Sequence, residues 1–382
     1  MKFKLLINIV DRANYGRLLP LIKKTMKDDR FKCETCFTGT TLVKEFGCLA
    51  EKIHEDSIYP NYKIFTEFSH RTHSSMIQTI AKTIEKMYEL YEKTNPDAVL
   101  VIGDRYEALG CAIAASYSNR FLIHLQGGEK SSSIDETTRH VITKMAHLHF
   151  PSTEKAAEII LKLGEERKNI INSGCPVGDF ILSSESNLKS IFPLKNDNHQ
   201  LIQYEDLKKG YLLICLHPIT SGIEKSDKII ENLFEVIKEI NLPKIWLKPN
   251  SDPGAQKIIE KLNCLKNINF ITNLLPKKFQ VLLKNATVAI GNSSSFVRDS
   301  SFSGTPVILL GNRQKDREVS ENVLKIENPN QNNIKTSINF QIRQGRYTPS
   351  KIYGKGNASS IILDNIYLFL KNTKTTQKYL TY

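Results

Sequence analysis

Residues 98–129 read AVLVIGDRYEALGCAIAASYSNRFLIHLQGGE, and the reading of this stretch decides the fold. AVLVIG (98–103) is a short apolar run that ends on a glycine, followed by Asp104 and Arg105. A helix-length stretch follows over 105–118. RFLIHL (120–125) is then a second apolar run, ending at Gln126 and a glycine pair. Apolar runs of that length, divided by a helix, suit buried parallel strands in a βαβ unit. Crossovers between parallel strands are right-handed, so a series of such units winds into a doubly wound sheet.

The alternation extends both ways. FKLLINIV (3–10), KCETCFT (32–38) and HLHFPS (147–152) read as further strands, with helices near 16–28, 71–94, 135–146 and 153–164. The pattern breaks over 183–209, which is polar and aperiodic and reads as a linker. A second βα series then runs through YLLICLHP (211–218), PKIWLKP (243–249), INFIT (268–272), TVAIG (287–291) and PVILLG (306–311). Its helices are expected at 225–239, 254–262, 277–285, 294–303 and, last, 357–371. The expected fold class is α/β, with two Rossmann-like doubly wound domains. The first spans 1–185 and the second 205–356. Ligands of such domains bind at the carboxyl ends of the strands, here in a cleft between the two.

Composition narrows the function. The chain has 382 residues, 40% apolar and 24% charged, the balance of a globular protein. No apolar run approaches the length of a membrane span, and MKFKLLINIV reads as a first strand rather than a signal, so a cytoplasmic protein is expected. The net charge of +13 comes from scattered lysines with no basic stripe or aromatic platform, which argues against nucleic acid. Seven cysteines, an odd number, point to reduced thiols. Cys33 and Cys36 lie on one strand at an offset that turns them to opposite faces, so they form no redox or zinc pair. His70, His73, His147 and His149 lack a ligand set, and no metal is expected.

The unusual residues gather at strand ends. GNSSSFVRDS (291–300) takes a strand into three serines that open a helix, which suits a phosphate. One serine would suffice for a cap; three favour the anion site. Asp299 lies about a turn further in, within reach of a ribose. Arg313, after PVILLG, and Arg12, after the first strand, can each clamp a phosphate, and His217 and Asn250 add a polar rim. No GxGxxG, no P-loop and no acidic metal-binding pair is present, so a diphosphate must be met by arginine, histidine and helix N-termini. In the first half, Asp104, Arg105, Gln126 and Glu129 end neighbouring strands. Asp135 and Arg139, four apart, share a helix face, where Asp135 can both cap the helix and pair with Arg139. Carboxylates beside a leaving diphosphate suit elimination or hydrolysis at a sugar.

Read together, GDRYEA, HLQGGE…IDETTRHVITKMAHLHF, SGCPVGD, LHPIT, GNSSSFVRD, GTPVILLGNRQKDREVSENVL and SKIYGKGNA resemble the hydrolysing UDP-N-acetylglucosamine 2-epimerases of sialic and nonulosonic acid biosynthesis. The resemblance runs from about Val10 to about Asn357. It implies a GT-B-like fold, with the C-terminal helix (357–382) packing back on the first domain. It implies a homodimer or homotetramer, no cofactor, and a UDP-sugar substrate. The implied reaction converts UDP-N-acetylglucosamine to N-acetylmannosamine and UDP, by anti-elimination to a 2-acetamidoglucal and hydration. Carried over by motif, Arg12, Arg105, His217, Asn250, Ser293, Ser294, Asp299 and Arg313 bind the nucleotide, while Asp104 and Asp135 act as acid and base.

The chain departs from the family pattern at four places. Gln126 stands where the family carries a catalytic glutamate, so Glu129 supplies the lost carboxylate or Asp104 and Asp135 suffice. The first loop reads VDRANYG rather than TGTRADYG. Asp299 replaces a glutamate, and Leu274 a polar residue. Three alternatives stay open: the same reaction on a UDP- or GDP-linked 2,4-diacetamido-trideoxy sugar, a GT-B glycosyltransferase, and a sugar-nucleotide-binding protein without turnover.

Overall fold

The computed structural model describes residues 2–66, 72–131, 134–184, 187–218, 223–249, 252, 254–263, 265 and 268–379. It divides into two compact units. The first comprises Met1–Lys130, Ile134–Leu182 and Tyr353–Tyr382, and the second Ser131–Ser133 and Ser183–Ile352.

The strands of the first unit are β1 (Phe3–Ile9), β2 (Phe31–Thr38), β3 (Tyr62–Ile64), β4 (Ala98–Ile102), β5 (Phe121–Leu125) and β6 (Leu148–Phe150). They form one sheet in the order β3-β2-β1-β4-β5-β6, every pairing parallel. The helices are α1 (Arg12–Thr25), α2 (Leu49–Lys52), α3 (His73–Thr94), α4 (Tyr106–Tyr117), α5 (Ile134–Met145), α6 (Glu154–Lys162) and α7 (Val177–Ser183). The order reverses beside β1, between β1 and β4, which is the switch point at which such sheets bind ligands.

The helices follow from local chemistry. α1 begins four residues before its expected start at 16, because Asp11 accepts a 2.6 Å hydrogen bond from the Asn14 amide and caps it. Arg12 is therefore the first residue of a helix. Alternate strand residues Leu6, Val99, Val101 and Leu122 pack on Met87 and Tyr91 of α3 and on Cys111, Ala112 and Ala115 of α4. Each such large apolar side chain taken from water contributes about 1.5–3 kcal/mol. Cys33 is partly exposed and Cys36 buried, so the two face opposite sides of β2.

The second unit contains β7 (Leu194–Lys195), β8 (Leu201–Ile202), β9 (Leu212–Cys215), β10 (Lys244–Leu247), β11 (Asn269–Ile271), β12 (Val288–Gly291), β13 (Val307–Leu310) and β14 (Val323–Ile326). Its helices are α8 (Tyr204–Leu207), α9 (Ile223–Glu239), α10 (Ala255–Asn263), α11 (Pro276–Asn285), α12 (Ser294–Ser301) and α13 (Gln331–Gln344). The main sheet runs β11-β10-β9-β12-β13-β14, again all parallel. Trp246, Leu233 and Ile338 lie at its core.

The segment read as a linker belongs to the body of this unit. β7 and β8 pair antiparallel, and the turn between them docks on strand ends. Asp197 accepts from the Thr272 amide and hydroxyl, each at 2.8 Å, and pairs with Lys248 at 2.8 Å. A polar segment is ordered here because its polar groups are its packing contacts.

The last helix, α14 (Ala358–Asn372), returns to the first unit. Tyr367 meets Phe3 and Phe31 edge-on, and Phe369 meets Phe121. The tail beyond it is pinned. His147 Nε2 bonds the Thr376 carbonyl at 2.9 Å, and Lys378 donates to the Lys144 and Ala146 carbonyls and pairs with Glu165, each at 2.6 Å. His149 also bonds Glu165, at 3.0 Å. Both histidines thus serve as local fasteners. No helix among the described residues is long and apolar enough to cross a membrane.

Candidate active site

In the first unit the turn after β4 carries Asp104 and Arg105. Its shape is held from the next strand. His124 Nε2 lies 2.8 Å from the Gly103 carbonyl, and Nδ1 lies 3.1 Å from the Thr143 hydroxyl. Burial pushes the His124 pKa down to about 3, so the ring is neutral. The nitrogen facing the carbonyl must carry the proton, and the other accepts from Thr143. His124 therefore braces the turn and carries no charge into it.

Arg139 on α5 is the hub of the carboxylates. It pairs with Asp104 Oδ2 and donates to the Glu129 carbonyl. It is 1% exposed. Burial opposes its charge, but Asp104, Glu129 and Asp135 outweigh burial and hold its pKa above the ordinary arginine value. Asp135 lies in the first turn of α5, where its charge also complements the helix dipole. Asp104, Glu129, Asp135 and Arg139, separate in the sequence, thus form one group.

Arg105 is engaged inside the same unit. Its Nε and Nη2 hold the two oxygens of Glu107 at 3.1 and 3.0 Å, with Asp11 3.9 Å away and the Tyr106 ring 4.6 Å from its centre. Burial pushes the Glu107 carboxyl upward against the pull of Arg105. Arg12, half-buried, opens α1 nearby in sequence.

Gln126 departs from regular backbone. Its φ of 62° places a non-glycine residue in the left-handed region, a cost tolerated mainly at functional sites. The conformation is over-determined: its amide donates to the Phe150 carbonyl at 2.9 Å, and Arg17 and Cys175 hold its side chain. Gly128 follows at φ +75°, and a Cβ there would lie 2.1 Å from the Ala156 carbonyl oxygen. Only glycine lets the loop cross α6 so closely and bring Glu129 to Arg139.

In the second unit, β9 and β12 end side by side. Gly291 (φ +151°) permits this, since a Cβ there would sit 1.9 Å from the Cys215 carbonyl oxygen. Beyond it, Asn292 and His217 exchange hydrogen bonds through the Asn292 side chain and the His217 backbone. Ser293 stands at the N-cap of α12 without a side-chain cap bond, and Ser294 begins the helix. The first-turn amides of a helix lack intrahelical acceptors and attract anions. Arg313 Nη1 reaches the Asn292 carbonyl at 3.4 Å, and its Nη2 lies 3.7 Å from Asp252. His217, Ser293, Ser294 and Arg313 thus converge on one helix start. Asp299 lies deeper, 3% exposed, accepting a 2.6 Å bond from Gln280. Asn250 lies outside the described residues. Among the described residues, no group of three or more His, Cys, Asp or Glu could hold a metal.

Sequence reasoning assigned nothing to Arg17, Glu107, Cys175 or Asn292. For Arg17 a signal existed: a charged residue inside the apolar run of NYGRLLPL, at a position that proves 6% exposed. Glu107 and Asn292 lay within quoted motifs, but their partners are visible only in three dimensions.

Comparison with known proteins bears on both units. The family model of UDP-N-acetylglucosamine 2-epimerase matches residues 23–367. A hydrolysing UDP-N,N'-diacetylbacillosamine 2-epimerase of Legionella pneumophila is 30% identical over 351 residues, covering 91% of this chain and 91% of the relative. A hydrolysing GDP/UDP-N,N'-diacetylbacillosamine 2-epimerase of Campylobacter jejuni is 32% identical over 333 residues, covering 85% of each. Among solved structures, the UDP-GlcNAc 2-epimerase of Neisseria meningitidis bound to UDP-GlcNAc superposes with a TM-score of 0.75 at 19% identity, covering 97% of this chain and 100% of that one. The fold is thus the GT-B-like one shared with that enzyme.

Proposed function

The chain belongs to the UDP-N-acetylglucosamine 2-epimerase family, and from that membership we propose that it is a hydrolysing 2-epimerase of a UDP-linked 2-acetamido sugar. The observation that carries the reading is the grouping of Asp104, Glu129 and Asp135 about the buried Arg139. UDP-N-acetylglucosamine is the leading substrate, giving N-acetylmannosamine and UDP. The nucleotide is held by the start of α12 with His217 and Arg313, joined by Arg12, Arg105 and Asn250, while Asp299 serves the ribose.

Asp104 and Asp135 share the proton work. One removes the proton at C2 as the C1–O bond breaks and its electron pair leaves with UDP, giving the 2-acetamidoglucal. Water then adds its hydroxyl to C1, and a proton returns to C2 from the opposite face. Gln126 cannot exchange a proton, so it orients the sugar or the water, and Glu129 adds a third carboxylate. Donors fixed around the pyrophosphate favour departure because they meet charge as it develops.

A second reading is favoured by a specific finding. Two relatives at 30% identity or more carry names for diacetylbacillosamine, so a 2,4-diacetamido-trideoxy sugar on UDP or GDP is the alternative substrate. Incubation with UDP-N-acetylglucosamine, the UDP-diacetamido sugar and its GDP counterpart in heavy water decides. The proposal expects free nucleotide and a 2-epimeric sugar deuterated at C2. Nucleotide release without deuterium at C2 means plain hydrolysis and overturns it. Release only with an added acceptor means a glycosyltransferase, and tight UDP binding without product means a binding protein.

A further inference from the structure

We propose that Arg17 is a positioning residue that acts through Gln126, fixing which end of its amide faces each way; this rests on the function proposed above. Arg17 projects from the second turn of α1, and Gln126 follows β5, 109 positions on in sequence. Arg17 Nε donates to the Ala13 carbonyl at 2.9 Å, which ties the guanidinium to its own helix. Nη1 then donates to Gln126 Oε1 at 2.7 Å. A guanidinium has only donors, so the amide oxygen must face it and the amide cannot flip. The nitrogen end is thereby directed at Cys175, whose sulfur accepts at 3.0 Å. Gln126 is 1% exposed and Cys175 equally buried, so bulk water does not compete for these two bonds.

Cys175 is itself fixed. Its amide donates to the Tyr353 carbonyl at 2.7 Å, and the preceding Gly174 lies against Gly354 backbone to backbone. The chain Arg17–Gln126–Cys175 therefore ties α1, the loop after β5 and the segment before α7 within the first unit. A glutamine between a donor-only group and a sulfur keeps one amide hydrogen and one oxygen lone pair for other use. Their directions are set by Arg17. This arrangement suits a neutral hydrogen-bonding role toward a sugar hydroxyl or the 2-acetamido group, and leaves proton transfer to the carboxylates around Arg139.

The test is a double-mutant cycle on UDP release from whichever UDP-sugar the native protein turns over. Arg17→Met is expected to lower kcat on the order of 10- to 100-fold with little change in KM, as misorientation of a reacting group does. Arg17→Lys, which keeps one donor toward Oε1, is expected to recover part of that loss. In a Gln126→Ala background, Arg17→Met is expected to cost nothing further, because the two act as one unit. UDP affinity of each variant, unchanged within about twofold, checks that the protein is folded. If Arg17→Met does not fold, Arg17→Lys in both backgrounds reads the same coupling. Multiplicative losses, or native kcat in Arg17→Met, overturn the inference and leave the epimerase reading standing. Absence of turnover by the native protein with any sugar of the panel sinks both.

Discussion

Asn292 and His217 hold each other by two hydrogen bonds: the His217 amide donates to Asn292 Oδ1 at 2.7 Å, and Asn292 Nδ2 donates to the His217 carbonyl at 2.9 Å. The pair lies just past the last ladder bonds of β9 and β12, so a side chain prolongs the sheet by one rung. Asn292→Ala strips partners from two backbone groups beside a 2% exposed residue. The expected cost is about 2–3 kcal/mol in urea unfolding, with a fall in UDP affinity by calorimetry. Unchanged values on both counts would show that the rung is dispensable.

Asp104→Asn keeps shape and a hydrogen-bonding oxygen for Arg139 but removes the charge. Turnover is expected to fall by about 10²–10⁴, the usual worth of a positioned acid or base, with UDP binding preserved. A loss below tenfold would remove Asp104 from the proton-transfer pair.

Arg313→Ala is expected to weaken UDP binding by about 1.5–3 kcal/mol, the range of a charge-assisted hydrogen bond, and Arg313→Lys by less. Because Asp252 lies 3.7 Å from Arg313, Asp252→Asn should tighten UDP modestly. UDP calorimetry reads all three, and equal affinity in Arg313→Ala would place the diphosphate elsewhere.

Glu165 supplies an acid-dependent part of stability. Burial pushes its pKa up, but hydrogen bonds from His149, Lys144 and Lys378 outweigh burial and bring it down to about 2. A carboxyl depressed in the folded state stabilises above its unfolded value and loses that contribution as pH falls toward its folded value. Glu165→Gln should therefore lie below the native protein by an amount on the order of 3 kcal/mol at neutral pH. The gap should narrow below about pH 4.5 and close near pH 2. Denaturant midpoints across that window check it; a gap independent of pH would refute the assignment.

Two glycines separate backbone strain from crowding. Gly128 and Gly345 have similar φ values, 75° and 69°, but a Cβ at Gly128 would strike the Ala156 carbonyl while nothing lies within 4 Å at Gly345. Gly345→Ala should cost on the order of 1–3 kcal/mol from backbone strain alone, because its ψ of −151° lies in a region that glycine alone enters readily. Gly128→Ala adds a clash with backbone to its own strain, so it should cost more and abolish turnover through displaced Glu129. Equal thermal midpoints would contradict the crossing of the loop over α6.

The alternation of apolar runs was legible because parallel strands buried on both faces leave unbroken apolar segments. Of the twelve strands in the two parallel sheets, ten were read within a few residues of their observed bounds, but β3 (YKI) and β14 (VLKI) were not. Both lie at sheet edges and carry lysines, so they lack that signature. α13 was missed because QNNIKTSINFQIRQ begins with residues of weak helix propensity and is started by the Asn330 capping box. At the site, Asp104, Glu129, Asp135 and Arg139 could be named from motifs. That Arg139 would join Asp104, 35 positions away, depends on α5 packing beside α4 and β5, which no spacing encodes. Gln126 read as a lost carboxylate; its link to Arg17 needed the turn of α1 against β5.

The first unit is assembled from both ends of the chain, whereas the second, apart from Ser131–Ser133, is the single span Ser183–Ile352. During synthesis on the ribosome, the later-made span can close before its predecessor is complete. The early strands must wait for Ile362, Leu363 and Ile366, which are fully buried, to emerge and seal them. Until then a nascent chain offers a greasy face to chaperones. A stalled or shortened message would leave a closed second unit attached to an unfinished first one.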